Sequence, residues 1–395
     1  MTAIRELSCR NVTLWAGALA LVSMSPLARA DHGNGRHENG AEQYQQLNLV
    51  SDLPEVAMLQ DMDLVNAWGM SFSPTSPFWI SDNGAGVSTL YAVTYDAMGM
   101  VSVVKFPPPP MGPLIVTIPG DGTPTGQLFN SLAGFNGDVF IFASEDGTIS
   151  GWHGGTAAET LVMGSDANVY KGITPAIGTS GSVLLAANFR NGTIDAYDSA
   201  LGLVGQFFDP QAPMGYAPFN VENIAGTVFV TFAKQDDLKH DDVAGAGNGF
   251  IDTFDPQTGM FTRFATGSDA GGHLHQINSP WGMALAPSTF GKHAGDLLVG
   301  NFGSGTIMSF DPMTGEFGGL LQSTKDGPVT IDGLWALAFG NGGKAGRPQT
   351  LYFTAGPDGE SHGLFGSLDP VRDQGDDDQG DNQGNGHRDD QGGDD

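Results

Sequence analysis

Residues 66–74 read NAWGMSFSP, residues 279–287 read SPWGMALAP and residues 332–340 read DGLWALAFG. Each stretch has a tryptophan followed by glycine or alanine and then an apolar continuation. Each is succeeded by a run of strand-forming residues that ends in a turn, as in FWISDNG at residues 78–84. A supersecondary unit that recurs in this way indicates a repeat architecture.

Three further units follow the same plan with weaker openings, over residues 139–152, 183–198 and 228–255. In each, a strand-forming run ends, an Asp-Gly or Asn-Gly pair follows, and a second strand-forming run begins. These dipeptides supply the positive φ angles that tight hairpin turns require. The glycines that mark the six predicted hairpins are Gly84, Gly147, Gly192, Gly249, Gly305 and Gly359.

Six units of three or four short strands, without a convincing helical period, predict an all-β fold built radially: a six-bladed β-propeller over residues 44–368. Tyr44–Leu53 is the expected closing strand of the last blade. A β-helix is disfavoured because the period is long and irregular. A β-sandwich is disfavoured because six related units are present.

The amino terminus has the pattern of a secretory signal peptide over residues 1–30. An apolar run, Val12–Met24, is followed by the small-x-small sequence Ala28-Arg29-Ala30. We therefore expect a secreted or periplasmic protein, with a polar linker at residues 31–43. The single cysteine, Cys9, precedes the apolar run, so cleavage removes every thiol and with it disulfide and thiolate chemistry.

The formal net charge is −28, and the segment 369–395 is an acidic, low-complexity tail that we expect to be disordered. Nucleic acids and anionic membrane surfaces are disfavoured partners because phosphate contacts need clustered Lys and Arg. No later run of apolar residues is long enough to span a membrane. The expected partners are a small molecule, a cation or an extracellular protein.

Nearly the whole body of the chain resembles an uncharacterised family of secreted bacterial six-bladed β-propeller proteins, some of which carry a PEP-CTERM sorting tail. The resemblance implies a propeller fold and export, but no activity. This chain ends in acidic residues instead of Pro-Glu-Pro and an apolar helix, so anchoring by that route is not expected. The segments that carry the resemblance include LVNAWGMSFSP, FWISDNGAG, IFASEDGTISGW, FRNGTIDAYD, GYAPFNVENI, IDGLWALAFGNG and LYFTAGPDGESHGLFG.

Polar residues near the start of each predicted inner strand are candidates for a ring at one mouth of the channel. Amide and carboxylate oxygens are hard ligands suited to Ca²⁺. By analogy of fold alone, lactonase-type propellers hold calcium in such a ring. A lysine within the ring and the single carboxylate oppose this hypothesis, and the alternatives are turn capping or a small neutral ligand. The candidates are Asn66, Asn130, Lys171, Asn220, Asn278 and Asp332.

A second candidate is the insertion QDDLKHDDVAGAGN at residues 235–248. Its carboxylates, Asp236, Asp237, Asp241 and Asp242, surround His240 and could bind Ca²⁺. Their spacing does not match the EF-hand loop. The alternative is an ordered surface loop closed by bonds from Asp side chains to backbone amides.

His273 and His275 alternate in sequence, so on a strand both would face one side. They are candidates for a general base or for metal ligands, and a surface loop is the alternative. We find no G-x-S-x-G elbow that would indicate a nucleophilic serine.

Two functional hypotheses follow from the sequence. The first is a non-catalytic binding or interaction module, which could hold a calcium ion in the central channel. The alternative is a calcium-dependent hydrolase of the lactonase type. The fold does not choose between them, because propellers serve both purposes.

Overall fold

The structure, a computed structural model, describes residues 43–179, 181–266 and 276–371. Within these ranges the chain forms six antiparallel sheets, and the prediction of an all-β six-bladed propeller is confirmed. The inner strand of each sheet contacts the inner strand of the next, and the sixth contacts the first. The sheets are therefore blades around one axis.

Blades 1 to 3 follow one another along the chain, and each has four principal strands. Listed from the axis outward, they are β3 (Ala67–Ser71), β4 (Phe78–Asp82), β5 (Val87–Tyr95) and β6 (Val101–Lys105) in blade 1; β8 (Pro124–Phe129), β9 (Phe140–Ser144), β10 (Ile149–Trp152) and β11 (Glu159–Val162) in blade 2; and β12 (Tyr170–Gly178), β13 (Gly181–Asn188), β14 (Thr193–Asp198) and β15 (Leu203–Phe207) in blade 3. A short strand, β7 (Ile115–Thr117), pairs with β5.

Blades 4 and 5 repeat this order, whereas blade 6 takes its outer strand from the amino-terminal side. The strands are β16 (Tyr216–Ile224), β17 (Thr227–Lys234), β18 (Gly249–Asp255) and β19 (Met260–Ala265) in blade 4; β20 (Pro280–Leu285), β21 (Leu297–Asn301), β22 (Ile307–Phe310) and β23 (Phe317–Leu320) in blade 5; and β25 (Leu334–Phe339), β26 (Leu351–Ala355), β27 (Leu364–Val371) and β1 (Gln43–Ser51) in blade 6.

Strand β1 closes the ring by pairing antiparallel with β27, from Gln43 opposite Val371 to Ser51 opposite Leu364. Two short strands, β2 (Leu59–Gln60) and β24 (Gln322–Ser323), also pair with β1. The predicted closing strand is thus confirmed. The two ends of the propeller meet in one sheet, which leaves no open blade edge between them.

The small or polar residue that stands two positions before each repeated tryptophan is explained by the backbone conformation there. Two residues before each repeated tryptophan, the chain is left-handed: φ is 46° at Asn66, 48° at Ser279 and 64° at Gly333. Asn and Gly tolerate this conformation better than most residues, and a serine is small. The left-handed residue leads the chain into each of these inner strands.

The predicted hairpin glycines lie in or beside the connection between the second and third strand of each blade. In four blades the predicted glycine is left-handed. In blade 1 the left-handed residue is Gly86 (φ 70°) instead of Gly84, after a 3-10 helix at Asn83–Ala85. In blade 4 it is Gly247 (φ 84°), because Gly249 already belongs to β18.

In the described ranges, the other helical segments are 3-10 helices at Phe135–Gly137 and Gly291–His293. None of the helices there has the length and apolarity to cross a membrane. The proposed signal peptide lies outside the described residues, as does nearly all of the linker and tail. Secretion therefore stays a prediction.

Candidate functional site at the channel mouth

An aromatic layer fills the axis where three of the inner strands begin. Trp68 stacks on Trp335 with ring centroids 3.6 Å apart, and Trp281 meets both rings edge-on. Phe302 stacks on the other face of Trp335 at 3.9 Å. The three tryptophans are buried, as their repeated position at the head of an inner strand indicated.

Two indole nitrogens of the aromatic layer bind polar residues at the axis. Trp335 Nε1 donates to Asn66 Oδ1 at 3.0 Å, and Trp281 Nε1 donates to the backbone oxygen of Lys171 at 3.2 Å. The Lys171 ammonium lies 4.9 Å from the ring centroid of Trp68, within range of a cation–π interaction. The layer therefore supports a polar group of residues directly above it.

We define the mouth cluster as seven side chains connected by hydrogen bonds. They come from five blades. Asn66 precedes the inner strand of blade 1, and Lys171 lies in the inner strand of blade 3. The others lie in the connection between the second and third strands of blades 1, 2, 4 and 6. Its members are Asn66, Asn83, Glu145, Lys171, His240, Asp241 and Glu360.

Two asparagines connect the carboxylates on either side of blade 1. Asn66 Nδ2 donates to Glu360 Oε2 at 2.7 Å and to Asn83 Oδ1 at 3.2 Å. Asn83 Nδ2 in turn donates to Glu145 Oε2 at 3.0 Å. Residues far apart in sequence are thus joined into one chain of hydrogen bonds.

Lys171 is the central cation of the mouth cluster. Its side chain is only 1% exposed, and its Nζ donates to Glu145 Oε1 and, at 3.1 Å, to Asp241 Oδ1. Burial alone would lower the pKa of Lys171, but the Glu145 and Asp241 carboxylates outweigh burial and raise it. Lys171 is therefore a buried, permanently charged ammonium.

The solvent side of the mouth cluster is formed by Asp241 and His240. The side chain of Asp241 is 63% exposed, and its Oδ1 lies 2.9 Å from His240 Nδ1. The hydrogen bond from His240 and the charge of Lys171 hold the pKa of Asp241 well below its usual range. The same hydrogen bond raises the pKa of His240. Burial raises the pKa of Glu360, which lies deeper in the mouth cluster.

The structure places only two of the six predicted ring residues, Asn66 and Lys171, in the mouth cluster. Asn66 precedes the start of its inner strand, β3, whereas Asn130 follows the end of its inner strand, β8. The side chain of Asn130 bonds to the backbone of residues 132 and 138. Asn220 donates to the backbone oxygen of Trp281.

The two remaining ring candidates are also engaged with backbone groups. Asn278 Oδ1 accepts from the amide of Gly245, and Asp332 Oδ2 accepts from the amide of Asp358. None of these bonds joins two predicted ring residues to each other. Of these four residues, Asn130 caps a local turn, and the other three bond to backbone groups in distant segments.

The acidic insertion is an ordered loop, and its aspartates have different environments. Asp236 Oδ1 accepts from the backbone amide of His240 at 2.8 Å, which closes the loop in the way that its alternative interpretation described. Asp237 is exposed, and Asp242 is largely buried, with a raised pKa caused first by that burial. Of the four aspartates in the insertion, only Asp241 belongs to the mouth cluster. His273 and His275 lie outside the described residues.

Sequence reasoning missed Asn83, Glu145 and Glu360. Each lies within two residues of a predicted hairpin glycine, in the segments DNG, SEDG and DGE. The connection between the second and third strands is at the same end of a blade as the start of the inner strand. Polar residues beside the hairpin glycines were therefore the signal that could have identified them.

Two groups of side chains in the described ranges have ligand atoms close enough to share a metal ion. One is Glu145, His240 and Asp241 in the mouth cluster, and the other is Asp138, His153 and Glu159 in blade 2. The ligand atoms within each group lie within 4.8 Å of one another.

The chain is similar to proteins of Acanthamoeba polyphaga mimivirus that are described as uncharacterised. One is 29% identical over 350 residues, covering 81% of this chain and 78% of the relative. Another is 28% identical over 354 residues, covering 82% and 85%. These relatives are viral, whereas the resemblance in the sequence pointed to bacterial proteins.

Solved structures with a similar arrangement include a streptogramin B lyase, with a TM-score of 0.49 and 12% identity, covering 83% of this chain and 97% of that one. Hydrazine synthase of Kuenenia stuttgartiensis has a TM-score of 0.44 and 14% identity, covering 81% and 99%. These values are too low to support an argument about function. No protein-family model matches the chain.

Proposed function

We propose that this protein is a binding module and that the mouth cluster is its ligand site, which takes a small ligand or side chain carrying a positive charge. The observation that supports this most strongly is the convergence of five ionisable side chains from four blades at one end of the axis. Burying ionisable groups costs desolvation energy, so blade stability alone gives no reason to gather them there.

The charges of the mouth cluster favour a cationic ligand. Three carboxylates, on Glu145, Asp241 and Glu360, outnumber the two basic groups of the cluster, Lys171 and His240. The exposed carboxylate of Asp241 stays ionised at physiological pH, since its pKa is held low. The net charge of −28 would also attract cations to the molecule over longer distances.

Argininamide is a suitable probe, because a guanidinium can donate a charge-assisted hydrogen bond to Asp241 Oδ2, whereas Lys171 and His240 contact Oδ1. We expect isothermal titration calorimetry to show binding to the wild type that weakens with added salt. Asp241→Asn should bind about tenfold more weakly, since a hydrogen bond to a charged group contributes about 1.5–3 kcal/mol.

The matched control is Asp237→Asn, an exposed aspartate in the same loop that lies outside the mouth cluster. It should bind argininamide as the wild type does. Equal loss of affinity in both variants would show that general charge attracts the probe, and the mouth cluster would then be rejected as the site.

A metal-dependent hydrolase is the second candidate, favoured by the proximity of ligand atoms on Glu145, His240 and Asp241. Calcium prefers six to eight oxygen ligands, whereas one donor here is an imidazole, which suits transition metals better. Lys171 Nζ also bonds to both carboxylates and competes with an ion for them.

Metal analysis and thermal melting with EDTA, Ca²⁺, Mn²⁺ and Zn²⁺ separate the two candidates. Under the binding proposal, chelation leaves the melting temperature unchanged. A stoichiometric ion that is lost in Glu145→Gln but kept in the exposed control Glu316→Gln would favour the hydrolase instead. Lactone turnover that depends on that ion would then be the deciding measurement.

A further inference from the structure

A channel cavity of about 350 Å³ lies on the axis among all six inner strands, β3, β8, β12, β16, β20 and β25. Trp281, a member of the aromatic layer, forms part of its wall. No member of the mouth cluster is among the described residues that line the cavity, so the two sites are separate. The volume suits a small molecule.

Most polar side chains that line the cavity already have partners. Gln127 Nε2 donates to two backbone oxygens, and its Oε1 accepts from Ser71. The Thr174 hydroxyl accepts from the amide of Asn223, whose own side chain bonds to the backbone of residues 175 and 226. Asn220 donates to the backbone oxygen of Trp281 on the inner strand of the next blade. These groups stabilise the wall and leave little capacity for a polar ligand.

Glu222 is the exception. Of the described residues that line the cavity, Glu222 is the one with an ionisable side chain, and the others are neutral. The backbone of Met283, on the inner strand of the next blade, lowers the pKa of Glu222 in part. Burial raises the pKa of Glu222 to about 8, and no charged neighbour offsets this effect. Among its described lining residues, the cavity thus holds a carboxyl group without a counter-ion.

We propose that the channel cavity binds a small primary ammonium ion with a short apolar body, whose charged end pairs with Glu222. The apolar body would contact side chains such as Met70 and Leu337. A divalent cation does not fit, because it needs several oxygen ligands and the wall offers one carboxylate. The described residues of the wall offer no cation to a carboxylate ligand, and a neutral polar ligand would find few unpaired hydrogen-bonding groups. This inference does not depend on the mouth cluster.

The test uses n-pentylammonium as the probe, with 1-pentanol as the neutral control of the same length. We expect calorimetry near pH 7 to show binding of the amine, and binding of the alcohol at least about tenfold weaker. Glu222→Gln should lose at least about tenfold in affinity for the amine. Asp237→Asn, at an exposed aspartate outside both sites, should bind it as the wild type does, and a loss that requires Glu222→Gln distinguishes this site from the mouth cluster.

Binding should also release a proton, because an ammonium partner favours the ionised form of Glu222. Titration near pH 7 in two buffers of different ionisation enthalpy measures this release, and Glu222→Gln should not show it. Equal affinity for amine and alcohol, unchanged amine binding in Glu222→Gln, or no binding by the wild type would each overturn the proposal.

The stability of Glu222→Gln provides a folding control with a predicted sign. The pKa of Glu222 is about 8 in the folded protein, whereas the usual pKa of a glutamate is 4.5. Because the folded state binds the proton more tightly, the free energy of unfolding falls as the pH rises from 4.5 to about 8. Glutamine does not ionise. The melting temperature of the Glu222→Gln variant should therefore match that of the wild type near pH 5 and exceed it near pH 9. A variant that melts lower at both pH values would show that Glu222 is needed for folding and not available to a ligand.

Discussion

Lys171→Met is expected to lower the free energy of unfolding by about 3 kcal/mol. Removing one partner of a buried ion pair costs about 3–5 kcal/mol, because the remaining charge has no counter-ion. The low end applies here, since water can reach Asp241, whereas Glu145 is mostly buried. Urea unfolding monitored by tryptophan fluorescence measures the change, and it reports on the aromatic layer directly below Lys171.

A double variant tests the cause of that loss. Adding Glu145→Gln to Lys171→Met removes the uncompensated carboxylate and should recover part of the stability. Lys292→Met, at an exposed lysine in a 3-10 helix of blade 5, should leave stability within about 0.5 kcal/mol of the wild type. If Lys171→Met is as stable as Lys292→Met, the ion pairs of the mouth cluster do not stabilise the fold.

Tyr44→Ala is expected to destabilise the protein by about 3–5 kcal/mol, as large-to-small changes at buried aromatic residues do. The Tyr44 side chain is fully buried in the closing strand, and its ring lies 4.8 Å from that of Phe290. Its hydroxyl donates to the backbone oxygen of Phe290 at 3.0 Å. Because Phe290 belongs to blade 5 and Tyr44 to blade 6, the substitution weakens the contact between these blades as well as the closure.

Tyr44→Phe is the matched control, since it keeps the ring and removes only the hydroxyl. It should cost about 1–3 kcal/mol, the range for leaving one buried polar partner unsatisfied. Thermal melting of both variants, together with limited proteolysis between blades 5 and 6, separates the contribution of ring packing from that of the hydroxyl hydrogen bond. Equal losses in Tyr44→Ala and Tyr44→Phe would mean that packing of the ring contributes nothing to closure.

The blades were predictable because their signals are local. An Asp-Gly or Asn-Gly pair encodes a turn within a few residues, and the alternation of apolar runs and turns encodes strands. The closing strand was predictable as well, since the last repeat lacked an outer strand and Tyr44–Leu53 was available. The one local detail that differed was which glycine turns the chain in blades 1 and 4, where a 3-10 helix and a long insertion replace the tight turn.

The mouth cluster was only partly predictable because its bonds join residues far apart in sequence. Asn66 and Glu360 are separated by 294 residues, and Lys171 and Asp241 by 70. Position along the chain does not show which of several polar residues near a strand start will face the axis. Asn130 and Lys171 were assigned equivalent positions, yet one follows its inner strand and the other lies within it.

Local residue patterns thus account for the six blades, their turns and the strand that closes them, because hairpins and strands depend on neighbours in sequence. The grouping of Glu145, Lys171 and Asp241 at the mouth arises only when the blades close into a ring. The isolation of Glu222 among neutral neighbours has the same origin. Charges that are solvated in separate strands are brought together and desolvated by closure, and that step gives the axis its chemistry.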